Sequence, residues 1–407
     1  MRRLFLLFVI VFSSQLLLAQ SVGFYYQRGS DRLSRKDYKP AIEDFKEVVS
    51  KRPDYHEAFT DMGKAYIGLK LYQDAANALT EAIKIKSDYL PAYKLRTTAY
   101  LNLKKEKEAM GDMTSIIKLS PKDIDVYKMR GDLYFKNKKY DKAEPDYTKA
   151  IALGLKNSKL FFNRAEIYAS EKKNEKAIAD LVQCVSLDPE NAIAFNKLAN
   201  LYYTQKQYDL AIENANKVVA LGSYSENTYQ ILSDSHFNLE DYEQAEKAYS
   251  RLLKLYHSRD KNVYRNRGIC YVEMKKYDLA IRDYNKCLSL DRNFVDGYFE
   301  RAYAYMMIDK ETMAVRDFNK ALYINPKCYR AYEKRGKYYY SQKNFKSAAE
   351  DFTMDLKYNP KPSAEIYYYR GASFFSLRKS KEGCLDFKKA MDMGHEKAKK
   401  DYSELCR

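Results

Sequence analysis

The stretch YKMRGDLYFKNKKYDKAEPDYTKAIAL, residues 127–153, holds the pattern from which the rest of the chain is read. Its apolar residues recur at spacings of three and four on either side of the polar break KNKKY (136–140). Each half is therefore an amphipathic helix, and the break is the turn between them. Gly131 on the first half and Ala143 on the second are small enough for the two backbones to approach, while large aromatics such as Tyr127 and Tyr134 fill the remaining volume. The stretch also contains Arg130-Gly131-Asp132, which on an exposed loop would be an adhesive ligand and inside a helix is three ordinary positions.

The same unit repeats. A small residue stands at Ala41, Ala75, Ala109, Ala143, Ala177, Ala211, Ala245, Ala280, Ala314, Ala348 and Gly383, in steps of 34 residues with two of 35. Sixteen residues before each lies an aromatic, from Tyr25 and Phe59 through Tyr332 and Tyr367. Nine before lies tyrosine in eight of the eleven units, for example Tyr66, Tyr100 and Tyr339. Proline closes several units (Pro53, Pro121, Pro189, Pro326, Pro360). A lone helix pair cannot cover its own apolar face, so neighbouring units must stack.

In these columns the chain resembles the tetratricopeptide repeat family, with Tyr or Phe where the family usually has Trp. The resemblance implies an all-α fold, a right-handed superhelix of about eleven helix-turn-helix repeats over residues 22–394. The first helix of each repeat would line the concave face. Residues 395–407 read as the polar C-terminal capping helix that such arrays need. Some members of the family clamp the acidic tails of heat-shock chaperones with Lys, Asn and Arg. Thr60, Lys64, Lys94, Lys128 and Asp132 do not reproduce that clamp.

The N-terminus, MRRLFLLFVIVFSSQLLLAQS, places Arg2 and Arg3 before the apolar run Leu4–Phe12, with Ala19 at a plausible cut. Residues 1–20 are expected to be a signal peptide. The alternative is an uncleaved anchor over residues 4–19, a run short of the roughly 20 residues a spanning helix needs. An exported bacterial protein of the periplasm or cell envelope follows. The net charge of +17 is spread evenly between the two halves of the sequence, which predicts no specific nucleic-acid partner and allows peripheral envelope association.

Catalysis finds little footing. The four histidines, His56, His236, His257 and His395, occupy different places in the repeat and share no metal-ligand spacing. No glycine-rich phosphate loop and no nucleophile elbow occurs. No catalytic, metal-ligating or cofactor-binding residue is assigned, no cofactor is expected, and the protein reads as no enzyme. Cys184 and Cys287 share a column where small apolar residues belong, so core packing is their expected role. Cys384 and Cys406 flank the Gly394 turn at similar height in an antiparallel helix pair; they form either a disulfide that clamps the last helix or two free thiols.

The middle of the array differs from the rest. Asn196, Asn200, Tyr203, Asn227, Gln230, Asn262 and Arg265 fall on the expected concave stripes of repeats six to eight. Side-chain amides there could hold an extended peptide by its backbone, with Tyr203 and Phe237 stacking on its side chains. They could equally be solvated helix residues.

Two further columns vary together. Thirteen residues before the small residue stands Arg in eight repeats, and three after it stands Asp in the same eight. The pairs are Arg28 with Asp44, Arg96 with Asp112, Arg130 with Asp146, Arg164 with Asp180, Arg267 with Asp283, Arg301 with Asp317, Arg335 with Asp351 and Arg370 with Asp386. The exceptions lose both charges together, as Met62 with Ala78, Leu198 with Asn214 and Leu232 with Ala248. In an antiparallel pair the two columns face each other, which predicts a structural ion pair inside each of the eight repeats, mostly buried and bidentate.

The expected function is a non-catalytic protein–protein interaction scaffold of the bacterial cell envelope, binding a protein or peptide segment in its concave groove. The alternative is a repeat protein associated with the cell wall or an anionic glycan through its tyrosines and positive charge.

Overall fold

The computed structural model describes residues 21–406, which form helices and turns without a strand. The expected signal peptide at 1–20, its alternative as an anchor at 4–19, and residue 407 lie outside the described residues. No helix among the described residues is long and apolar enough to cross a membrane.

The chain divides into two compact units, residues 1–194 and 195–407. In the first, α1 (21–34), α2 (Tyr38–Lys51), α3 (His56–Gly68), α4 (Tyr72–Ile85), α5 (Leu90–Asn102), α6 (Glu106–Leu119), α7 (Ile124–Lys136), α8 (Tyr140–Ala152), α9 (Ser158–Ser170) and α10 (Asn174–Leu187) follow one another. Helix α11 (Ala192–Thr204) begins at the boundary. The second unit continues with α12 (Tyr208–Ala220), α13 (Glu226–Asn238), α14 (Tyr242–Tyr256), α15 (Lys261–Glu273), α16 (Tyr277–Leu290), α17 (Val295–Met306) and α18 (Glu311–Ile324). It closes with α19 (Tyr329–Ser341), α20 (Phe345–Tyr358), α21 (Ala364–Ser376), α22 (Ser380–Asp392) and the terminal α23 (Glu396–Leu405).

Odd-numbered helices pack against the even one after them, as α3 on α4, α7 on α8, α13 on α14 and α21 on α22, so each unit is an α-solenoid of helix pairs. First helices also touch first helices of the next pair, α3 with α5 and α7 with α9 in one unit, α15 with α17 and α19 with α21 in the other. Second helices make no comparable contact among the described residues. Within each unit the first helices therefore form the inner layer.

The packing explains the columns. The ten alanines of the small-residue column are fully buried. Four residues after the small residue comes a buried side chain, a large aromatic in seven repeats, for example Phe45, Tyr147, Tyr249, Phe318 and Phe387, and Ala215 in the sixth. Gly131 shows why the first helix must be small opposite it, since a Cβ there would stand 2.8 Å from the Tyr147 ring. Between the helices of a pair the chain turns through one left-handed residue, Lys138 (φ 56) in the fourth repeat. Its N–H donates to the Phe135 carbonyl at 2.9 Å, and that of Lys139 to Tyr134 at 2.8 Å, which closes the end of α7.

Candidate functional site

The eight Arg–Asp pairs fix which side chains remain free. In every one the guanidinium meets the carboxylate through two nitrogens. Arg130 donates from Nε to Asp146 Oδ2 at 2.8 Å and from Nη2 to Oδ1 at 2.7 Å. Arg164, Arg267 and Arg370 make the same two bonds at 2.7 Å each to Asp180, Asp283 and Asp386. Arg96, Arg301 and Arg335 do so with Asp112, Asp317 and Asp351. In the first repeat Asp44 accepts from Arg28 and also from Arg32, and Arg28 is the most exposed of the eight arginines. All eight aspartates are buried, and so are Met62, Ala78, Leu198, Leu232 and Ala248, which replace the pair elsewhere. Arg130-Gly131-Asp132 is thus helical, with its arginine turned into the repeat.

The arginine has a third arm that the sequence reading missed. The Nη1 of Arg96, Arg130 and Arg164 donates to Thr80, Thr114 and Thr148 at 3.0, 3.0 and 2.9 Å, on the second helix of the preceding repeat. Ser250, Asn285 and Asn319 serve Arg267, Arg301 and Arg335 in the same way. The signal was present as a polar residue five positions after the small alanine. It was hidden because Thr, Ser and Asn alternate there.

The inner layer of the first unit carries a cleft of about 510 Å³. Its floor and walls are Leu101 of α5, Met113 of α6, and Met129, Leu133 and Phe135 of α7, with Lys136 and Lys159 at the rim. A polar relay runs beside it. Lys128 donates to Asp132 at 2.7 Å, Tyr147 to the other Asp132 oxygen at 2.9 Å, and Asn163 to the Tyr147 hydroxyl at 3.1 Å. Burial raises the Tyr147 phenol far above its ordinary pKa, so it stays a donor. Lys136 is held by Glu106 at 2.6 Å, whereas Lys159 is exposed with no ion-pair partner among the described residues. A second hollow, of about 450 Å³, adjoins at Lys159 and is walled by Phe162 and Ile193, the latter 66% exposed.

The amide set of repeats six to eight is arranged differently. Asn196 accepts from the Thr228 hydroxyl at 3.3 Å, and Gln230 donates to Asp234 at 2.7 Å. Asn262 donates through its side chain and backbone to Asp260 at the start of α15. Arg265 reaches Asp296 at 3.6 Å and keeps a buried, unpartnered Nε. The Tyr203 ring lies 6.0 Å from Tyr208, and Phe237 packs on Tyr242 and Tyr249. Burial and the Asp234 carboxylate both raise the Tyr203 pKa. Asn200, Asn227 and Asn262 are the exposed members of the set, and of these Asn262 is held by Asp260. Asp234 is the hub here, and the sequence reading passed over it. Together with Tyr249 (2.6 Å) and Asn266 (3.1 Å to that hydroxyl) it repeats the Asp132–Tyr147–Asn163 relay column for column.

Further along, several inner charges are paired. Arg330 pairs with Glu300 at 3.3 Å and lies 4.1 Å over the Phe299 ring, and Lys337 bridges Glu333 and Glu365. The first-unit cleft thus offers the larger apolar floor with a cation left over.

Cys384 and Cys406 form a disulfide across 22 residues that ties α23 to α22. Cys184, Cys270 and Cys287 are buried free thiols. Burial pushes Cys270 up to about 12 and Cys287 up to about 11, which makes both inert at neutral pH.

Comparison with known proteins agrees along the chain. Models described as tetratricopeptide repeat match residues 56–89, 226–256 and 295–328, and residues 124–154 and 262–294. A model described as TPR repeat matches 165–206. Among solved structures, YrrB, a TPR protein with an unusual peptide-binding site, is 21% identical with a TM-score of 0.43, covering 46% of this chain and 97% of its own. MamA is 26% identical with a TM-score of 0.39, over 42% of this chain and 92% of its own. A structure of Naa15/Naa10 bound to HypK-THB covers 90% of this chain and 68% of that one, at 13% identity and a TM-score of 0.46.

Proposed function

The chain belongs to the tetratricopeptide repeat family, and from that premise we propose that it is a non-catalytic protein–protein interaction scaffold of the bacterial cell envelope. Proteins of this family generally act by binding partners. The observation that carries the reading is the inner cleft of repeats three to five. Met129, Leu133 and Phe135 give it room for one large apolar side chain, and Lys159 gives it an unneutralised cation at the mouth. A segment with an apolar residue next to a carboxylate suits it on both counts. Export rests on residues 2–19, and the Cys384–Cys406 disulfide supports it, because such bonds persist in oxidising compartments.

The test is capture from solubilised envelope by the protein, by Leu133→Asp and by Lys159→Glu. A defined protein retained by the first and lost with both variants supports the proposal. Lys159 is exposed, so its variant tests the mouth without disturbing the fold. Equal capture by all three would sink it. The glycan reading draws on one feature, a hollow of about 770 Å³ in the second unit lined by Tyr298, Arg316, Lys320 and Tyr323, the last 80% exposed. Salt-sensitive retention on purified wall or lipopolysaccharide, lost with Tyr323→Ala, marks that reading instead.

A further inference from the structure

The turns between paired helices break a local rule in three successive repeats. Lys104, Lys138 and Lys172 take the left-handed backbone there, with φ of 58, 56 and 59. The next residues, Lys105, Lys139 and Lys173, are the N-caps of α6, α8 and α10, and none makes a side-chain cap bond. The left-handed lysines have a local reason, since a cation favours the carbonyl end of the helix just completed. The N-cap lysines have none. That position prefers Ser, Thr, Asp or Asn, whose oxygen accepts from the first-turn amides, and the start of a helix repels positive charge.

The backbone does not impose lysine at these caps. Asp241 and Asn344 occupy the same place in other repeats at nearly the same angles (φ −80, ψ 71 and φ −82, ψ 69, against φ −86, ψ 68 at Lys105). Both cap, accepting from the N–H of Gln244 and Ser347 at 3.3 Å. Helix stability is therefore given up in exchange for charge at three adjacent turns here, as it also is at Lys276, Lys310 and Lys379 of the second unit. Sites where a sequence defies its own local physics are where function is to be sought.

The charge is available. Lys104, Lys138, Lys139 and Lys172 are exposed and make no ion pair among the described residues. Lys105 touches only the Gln73 amide at 2.9 Å, and Lys173 only Glu171 at 2.7 Å. The three turns belong to successive stacked repeats, so the six lysines fall along one edge of the first unit. These turns also carry Glu106, Asp141, Glu171 and Glu175, leaving lysine in excess, whereas acids predominate at the opposite edge in PKDID (121–125) and DPEN (188–191).

We infer that this edge docks the protein on an anionic lipid surface. The row sits on exposed turns between helices. It is built of lysine, a point charge suited to diffuse headgroups, with no arginine fork in the turns. The inference is independent of the inner cleft and stands or falls apart from it.

The experiment uses the full chain and vesicles of phosphatidylcholine alone or with about one third phosphatidylglycerol, each tested against rising salt. The comparison is with the triple variant Lys105→Asn, Lys139→Asn, Lys173→Asn. The protein should bind the anionic vesicles in a salt-sensitive way, and the variant should bind them on the order of 100-fold less. The variant's thermal midpoint should rise, because three caps are gained. Any contribution of residues 4–19 is common to both proteins and to both lipid mixtures. Unchanged binding by the variant, or equal binding to neutral vesicles, overturns the inference. So does a lysine-dependent affinity seen only for a soluble linear polyanion such as polyphosphate, which would reassign the edge to a polymer.

Discussion

Asp355 should be a liability at neutral pH, and replacing it with alanine should stabilise the protein. It stands seven residues after the small alanine of its repeat, on α20, and is 0% exposed. The equivalent positions are all buried and uncharged, among them Val48, Ala82, Ile116, Leu252, Cys287 and Ala321. One Asp355 oxygen accepts from Asn359 at 3.0 Å, and the other is buried without a partner. Burial raises its pKa from 3.8 to about 6; the Asn359 bond opposes this, Glu333 adds to the rise and Lys337 opposes it. The folded state thus holds a proton that the unfolded chain releases at lower pH. The associated stability is full below 3.8 and is lost as pH rises through about 6. A shift of about 2 units corresponds to about 3 kcal/mol. Chemical denaturation of the protein and of Asp355→Ala from pH 4 to pH 8 should show their stability difference growing in favour of the variant. The total change should be about 1–3 kcal/mol, allowing for the small void left by the carboxyl. Hydrogen exchange should place the gain in α20 and α21. A pH-independent difference, or a variant less stable at pH 8, would refute the reasoning.

Other outcomes follow from the same structure. Arg130→Ala strands the buried Asp146 and should destabilise by about 3–5 kcal/mol, while Arg130→Met with Asp146→Ala, the pattern of Met62 and Ala78, should recover most of it; a double-mutant cycle with no coupling would exclude the bridge. Replacing Cys384 and Cys406 with serine should speed hydrogen exchange in residues 381–406 and leave α9 and α10 unchanged, since stability in repeat arrays is local; faster exchange throughout would contradict this. N-terminal sequencing of exported protein should begin near Gln20 or Ser21, and an intact Met1 would point to an anchor instead.

The helix pairs were legible because their columns repeat eleven times, so that period and packing reinforce each other. The Arg–Asp pairs were legible for a different reason. A buried carboxylate needs its cation, so Met62 with Ala78 and Leu232 with Ala248 change as couples. The third arm of the arginine escaped notice because a hydroxyl or an amide serves it equally well. Asp355 looks like any other acid until its column is known to be core. The N-cap lysines look like solvated surface until Asp241 and Asn344 show what that backbone can accept. In the amide stripe Gln230 and Asn262 are engaged by nearby aspartates, which spacing alone does not reveal. The cleft depends on how deeply Met113 and Leu133 sit between three helices, a matter of packing rather than pattern.

The most direct test of the interaction reading is photocrosslinking in the native cell from two positions of one repeat. A photoreactive phenylalanine analogue at Leu133 looks into the cleft, and one at Lys149 stands on the exposed side of α8. The account predicts a discrete protein adduct from position 133 that position 149 does not give. No adduct from position 133, or the same adducts from both, would contradict it.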